Sequence, residues 1–91
     1  MITFTPTGDL LTDLNNCINN TTAMHVSYID KEGISSDRVI APVEVRGSGV
    51  YLFSLEKNGE PDSGLRFFLL ASIGTHEVID QQFDPESFKN Q

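Results

Sequence analysis

The 91-residue sequence predicts a mainly β domain: one N-terminal α-helix followed by five short antiparallel strands that form a small barrel or sandwich. Three observations carry this. Helical spacing of apolar residues occurs only near the start, at Leu10, Leu14 and Cys17 or Ile18. From residue 23 the period shortens to two, in segments divided by turn residues. The chain is also short, burying only roughly 60–65% of its unfolded surface, and closure of the sheet suits such a domain because it removes exposed edges.

Residues 1–9 read as an extended, loosely held segment, with the domain proper over 10–91. Asp9 is placed to cap a helix over about 10–20, and Asp13 lies near its positive end. Asn15, Asn16, Asn19 and Asn20 are poor in helix interiors, so Asn19-Asn20-Thr21-Thr22 ends it. The first strand covers about 23–30, with Met24, Val26 and Tyr28 on one face, and Asp30-Lys31-Glu32-Gly33 is a turn. In the second, about 37–46, alternation puts Val39, Ala41, Val43 and Val45 on one face. Arg38, Ile40, Pro42, Glu44 and Arg46 then share the other. Pro42 cannot donate to a ladder and marks an edge or a bulge. Gly47-Ser48-Gly49 makes a tight hairpin into the third strand, about 49–56. The fourth, about 65–72, is almost wholly apolar, as for a strand buried on both faces, and Gly74 breaks it. The last covers about 75–80. Asp84-Pro85-Glu86 starts a final helical turn with Asp84 as cap.

The charge excludes some functions. Thirteen Asp and Glu oppose six Lys and Arg, a net charge of −7, which disfavours wholesale contact with a duplex backbone. The excess is unevenly placed. Residues 1–37 and 74–91 are acidic, while 38–73 is balanced and holds all three arginines, Arg38, Arg46 and Arg66. Arginine clusters favour forked recognition of phosphate or carboxylate. No apolar run approaches the ~20 residues of a membrane span. Residues 1–6 lack the pattern of a secretory signal, and one cysteine cannot form an internal disulfide. A cytoplasmic location is the expectation.

Enzymatic constellations are lacking. His25 and His76 are the only histidines and fall in no metal or catalytic motif; Cys17, on the apolar helix face, reads as a small core residue. The carboxylates lie in turns and at the ends, where they read as solvated charges. No catalytic role, metal or cofactor is expected.

A set of spacings is more informative. Tyr28-x-Asp30-x-x-Gly33 is followed by Arg38-x-x-x-Pro42, then Val50-Tyr51-Leu52, then Arg66-x-Phe68-x-Leu70-x-x-Ile73. In order and spacing this resembles the WYL domain over about residues 10–84. The resemblance implies an SH3/Sm-like β-barrel that acts as a ligand-sensing module in bacterial or phage regulators. Carried over residue by residue, it implies a ligand face of Tyr28, Arg38, Tyr51 and Arg66. Two positions depart from the family: Val50 stands in place of its Trp, and Ser72 in place of a common second Arg.

The chemistry of these residues fits that implication. Arg38 and Arg66 can fork onto a phosphate, and Tyr28 and Tyr51 can stack on bases. The expected function is a stand-alone WYL-like regulatory binding module for a nucleotide or single-stranded nucleic acid, or one that modulates a partner regulator. An alternative is a small acidic adaptor or inhibitor that contacts a protein partner with a basic surface. The resemblance also implies a homodimer.

Overall fold

The computed structural model describes residues 2–89; Met1 and residues 90–91, at the ends of the expected segments, lie outside the described residues. Helix α1 (Leu10–Asn19) precedes strands β1 (Thr22–Ile29), β2 (Ser35–Arg46), β3 (Gly49–Lys57), β4 (Glu60–Pro61), β5 (Leu65–Leu69) and β6 (Ile73–Gln82). All pairings are antiparallel, in the order β4-β3-β2-β1-β6, with β5 also on β3. The sheet curls into a half-barrel, so the expected mainly β architecture with one N-terminal helix is what forms. The two-residue β4 is additional to the five strands that the sequence predicts.

The Asp9 side chain caps α1, accepting from the Thr12 amide at 3.0 Å and the Thr12 hydroxyl at 2.6 Å. The helix stops where Thr21 takes a positive φ of 46°. Its buried face is Asp13, Leu14 and Cys17. Leu14 and Cys17 join Met24, Val26, Ile40, Val50, Leu52, Phe68, Ile73 and Val78 in one core inside the curl. Burying a side chain such as Leu14 stabilises the fold by about 1.5–3 kcal/mol.

Several expectations are corrected. Residues 2–9 are tied to the fold, with Ile2 and Phe4 packed against the core and Thr7 and Gly8 bonded to Asp13. In β2 simple alternation fails, because Ile40, Ala41 and Pro42 are all buried while Val43 is exposed. A bulge explains part of this: Pro42 pairs with Leu52 and Glu44 with Tyr51, leaving Val43 as the extra residue. The other part is a second apolar layer outside the curl. Ala41 pairs with Phe53, whose ring stacks on that of Phe88, 4.3 Å between centroids. Phe88 comes from a 3-10 turn, Pro85–Phe88, capped by Asp84 as the sequence predicts.

The strand at 65–72 differs most. It ends at Leu69, passes through a 3-10 turn at Leu70–Ser72, and buries only Phe68. Leu65, Phe67 and Leu69 are 54%, 42% and 47% exposed. Its apolar run matches a two-sided burial that the fold does not supply: among the described residues β5 pairs only with β3, and its outer face is exposed. Gly74 is no breaker either. It lies inside β6, where the backbone runs so close to β1 that an added Cβ would meet Ser27 Oγ at 2.8 Å.

Candidate functional site

Register places Arg38 on the inner face. It pairs with Val26, and Ser36 two residues earlier pairs with Tyr28, both on the core side of β1. The guanidinium therefore sits at one end of the apolar core, only 11% exposed. Arg38 Nε donates to Ser36 Oγ at 3.0 Å, and Cζ lies 5.5 Å from the Phe68 ring centroid, a cation–π contact. Tyr28 stacks on the same Phe68 ring at 3.8 Å, nearly parallel.

Asp62 joins the two arginines. Its Oδ2 is 3.6 Å from Arg38 Nη1 and 3.9 Å from Arg66 Nη2, and accepts from the buried Ser54 hydroxyl at 2.8 Å. The Ser54 hydroxyl, then the Ser63 amide and the two guanidiniums hold the Asp62 carboxyl below the usual range against a smaller opposing effect of burial. At 3.6 Å the Arg38–Asp62 contact is electrostatic and not a hydrogen bond. Arg38 Nη1 is shut off from water and has no hydrogen-bond partner. Leaving such a donor unsatisfied costs about 1–3 kcal/mol. Arg66, with its side chain 42% exposed, completes a group of two cations and one anion beside an aromatic pair.

The fold thus brings together three of the four residues the sequence singles out, Tyr28, Arg38 and Arg66, and separates the fourth. Tyr51 alternates with the inward Leu52 and lies on the outer face, against Phe67 at 4.8 Å and under Arg46 at 5.9 Å. Asp62, Ser36 and Ser54 were missed in sequence. For Asp62 the available signal was its place four residues before Arg66; for the serines there was none, because only the sheet register brings them to Arg38.

A second polar cluster lies at the helix. Asp13, 1% exposed, accepts from the Thr7 amide at 2.8 Å, the Thr7 hydroxyl at 2.9 Å and the Gly8 amide at 3.0 Å, and pairs with His76 Nε2 at 2.9 Å. Burial pushes its pKa up, but these hydrogen bonds, the Thr7 amide foremost, outweigh it and leave the pKa below the usual range. Asp13 is no solvated charge: it ties the N-terminal segment and α1 to β6. Cys17, one turn on, is buried as expected, and burial, helped by the Asp13 charge, pushes its thiol up to about 12.

A recess of about 260 Å³ is lined by His25, Asp37, Arg38, Val39, Glu56 and Gly59. His25 Nε2 is 4.0 Å from Asp37, both well exposed. Among the described residues no three His, Cys, Asp or Glu side chains gather as a metal site would need, and no helix is long and apolar enough to cross a membrane. No protein-family model matches the sequence, and no curated protein matches it.

Proposed function

We propose that this protein is a WYL-like regulatory binding module whose ligand is a nucleotide or a single-stranded nucleic acid, engaged at Arg38 and Arg66. The observation that carries the reading is the buried Arg38 Nη1, a charged donor with no hydrogen bond, beside a second guanidinium. A phosphate oxygen offers that donor the charge-assisted bond that Asp62 is too distant to make. Phosphate binding would draw Asp62 off the two arginines while Ser54 keeps its hold on the carboxylate. The half-buried Tyr28 ring, backed by the core residue Phe68, supplies the aromatic surface for a base. The two departures noted in the sequence shape the site: Val50 is fully buried, so this position gives no aromatic platform, and Ser72 adds no third cation.

The test is a titration of nucleoside mono-, di- and triphosphates and of a labelled oligothymidylate at two salt concentrations. Binding that weakens with salt, and that is lost in Arg66→Ala with the fold intact, supports the reading. Arg66 is the better probe because its side chain is partly exposed, whereas Arg38→Ala also opens the core. Absence of binding by every ligand at low salt removes it.

A further inference from the structure

We infer, building on the ligand reading above, that the anion taken at Arg38 and Arg66 is a phosphodiester, with one negative charge, in preference to a terminal phosphate with about two. The charge of the group decides this. Two guanidiniums face one carboxylate, so two positive charges less one negative leave the unliganded group singly positive. Asp62 is fastened in place and stays when a ligand arrives. Its carboxylate accepts from Ser54 Oγ at 2.8 Å, its amide donates to the Leu55 carbonyl at 3.0 Å, and the Gly64 carbonyl accepts from the Ser54 amide at 3.0 Å. The segment around Asp62 is thus stitched to β3 at two points. Lys57, opposite Arg38 in the ladder, has Glu60 opposite it on its other side, and these two charges cancel.

A monoanion brings that group to neutrality, whereas a dianion leaves an uncompensated negative charge against Asp62. The imbalance is costly here because Arg38 lies at the end of the apolar core, with its guanidinium against the Phe68 ring. The chain's net charge of −7 adds to it, since its field opposes a doubly charged ligand more than a singly charged one. The oxygens agree. Arg38 on β2 and Arg66 on β5 approach Asp62 Oδ2 from separate strands, so each guanidinium can meet one of the two unesterified oxygens of a diester. The further oxygen of a terminal phosphate would be brought toward the carboxylate. The half-buried Tyr28 ring lies beside this group, while Tyr51 is on the outer face, so the matching fragment is one base with one diester linkage. A cyclic nucleotide and an internal linkage of a single strand both present that fragment.

The test is isothermal titration of the full chain at about pH 7.5, where a phosphate monoester is mostly dianionic. Adenosine monophosphate and its phosphate methyl ester differ by one charge and a methyl group. The methyl ester should bind roughly fivefold tighter or more, the scale of one unit charge acting on another at about 4 Å in water. Asp62→Asn, which removes the negative charge from the group, should abolish or reverse that preference, while Arg66→Ala weakens both ligands. Circular dichroism checks that each variant is folded, and the wild-type ratio decides alone where one is not. Cyclic adenosine monophosphate and a dithymidylate without terminal phosphates separate the two sources of the diester, and tight binding of either supports the inference. A monoester bound as tightly as its methyl ester, or a preference unchanged in folded Asp62→Asn, overturns it and leaves the ligand reading standing. No binding by any of these probes removes both.

Discussion

The imidazole of His76 meets the buried carboxylate of Asp13 at 2.9 Å, and the contact joins the helix to the last strand across 63 residues of sequence. Asp13 also holds the Thr7 and Gly8 amides, so three separate segments converge on one side chain. Removing it as Asp13→Ala takes away the shared acceptor of the Thr7 and Gly8 amides and of His76. The expected loss is about 2–4 kcal/mol, read as a lower urea midpoint with little change in slope.

The same group gives a pH dependence. The folded pKa of Asp13 lies below its ordinary 3.8, so on acidification the unfolded chain takes up the proton first. The stability it contributes is complete above the ordinary value and is lost as pH falls through the lower folded one. Urea midpoints measured from pH 6 down to pH 2 should fall, and Asp13→Asn should show a shallower fall over the same range. Asp62, lowered in the same direction, adds to the wild-type slope.

Asp62 competes with any anionic ligand for the two guanidiniums. Asp62→Asn should therefore raise affinity for a phosphate-bearing ligand by about tenfold, the equivalent of ~1.4 kcal/mol, while lowering stability because Arg38 loses its counter-charge. Isothermal titration and a melting curve on the same variant separate the two effects. A variant that loses stability and gains no affinity would argue that the arginines only brace the loop.

Gly49 has no room for a side chain. An added Cβ would lie 2.2 Å from the Phe67 ring and 2.8 Å from the Phe68 carbonyl oxygen, and that carbonyl belongs to the β3–β5 pairing. Gly49→Ala should cost about 1–3 kcal/mol by overpacking. Gly33 has open space around it but a φ of +81°, so Gly33→Ala should cost only about 1–2 kcal/mol, from backbone strain alone. Parallel urea melts of the two variants check the order.

Cys17 should be silent to Ellman's reagent at pH 8 in the native protein. It is buried, and its pKa of about 12 leaves almost no thiolate. Labelling should follow the unfolding rate and speed up in Asp13→Ala.

Local pattern and tertiary context divide the account of this protein clearly. The helix over Leu10–Asn19, its Asp9 cap, the β1 face of Met24, Val26 and Tyr28, the hairpin at Gly47 and the Asp84-capped last turn were all legible. Each depends on residues within a few positions of one another, where propensity, capping and periodicity act directly. Of the three arginines that the sequence gathers in 38–73, the fold brings Arg38 and Arg66 to Asp62, while Arg46 lies over Tyr51.

What only the tertiary structure decided depends on partners distant in sequence. Whether Leu65–Leu69 is a central or an edge strand is set by which strands lie beside it, and an apolar run reads the same in both cases. The burial of Ala41 and Pro42 follows from a bulge at Val43 and from Phe88 closing the outer face. The separation of Tyr51 from Arg38 follows from the side of β3 that faces the core. The burial of Asp13, an exposed-looking acid near a helix start, follows from four hydrogen bonds, one of them from a histidine 63 residues away. Burial of a polar group is decided by whether distant donors can reach it, and only the folded chain brings them there.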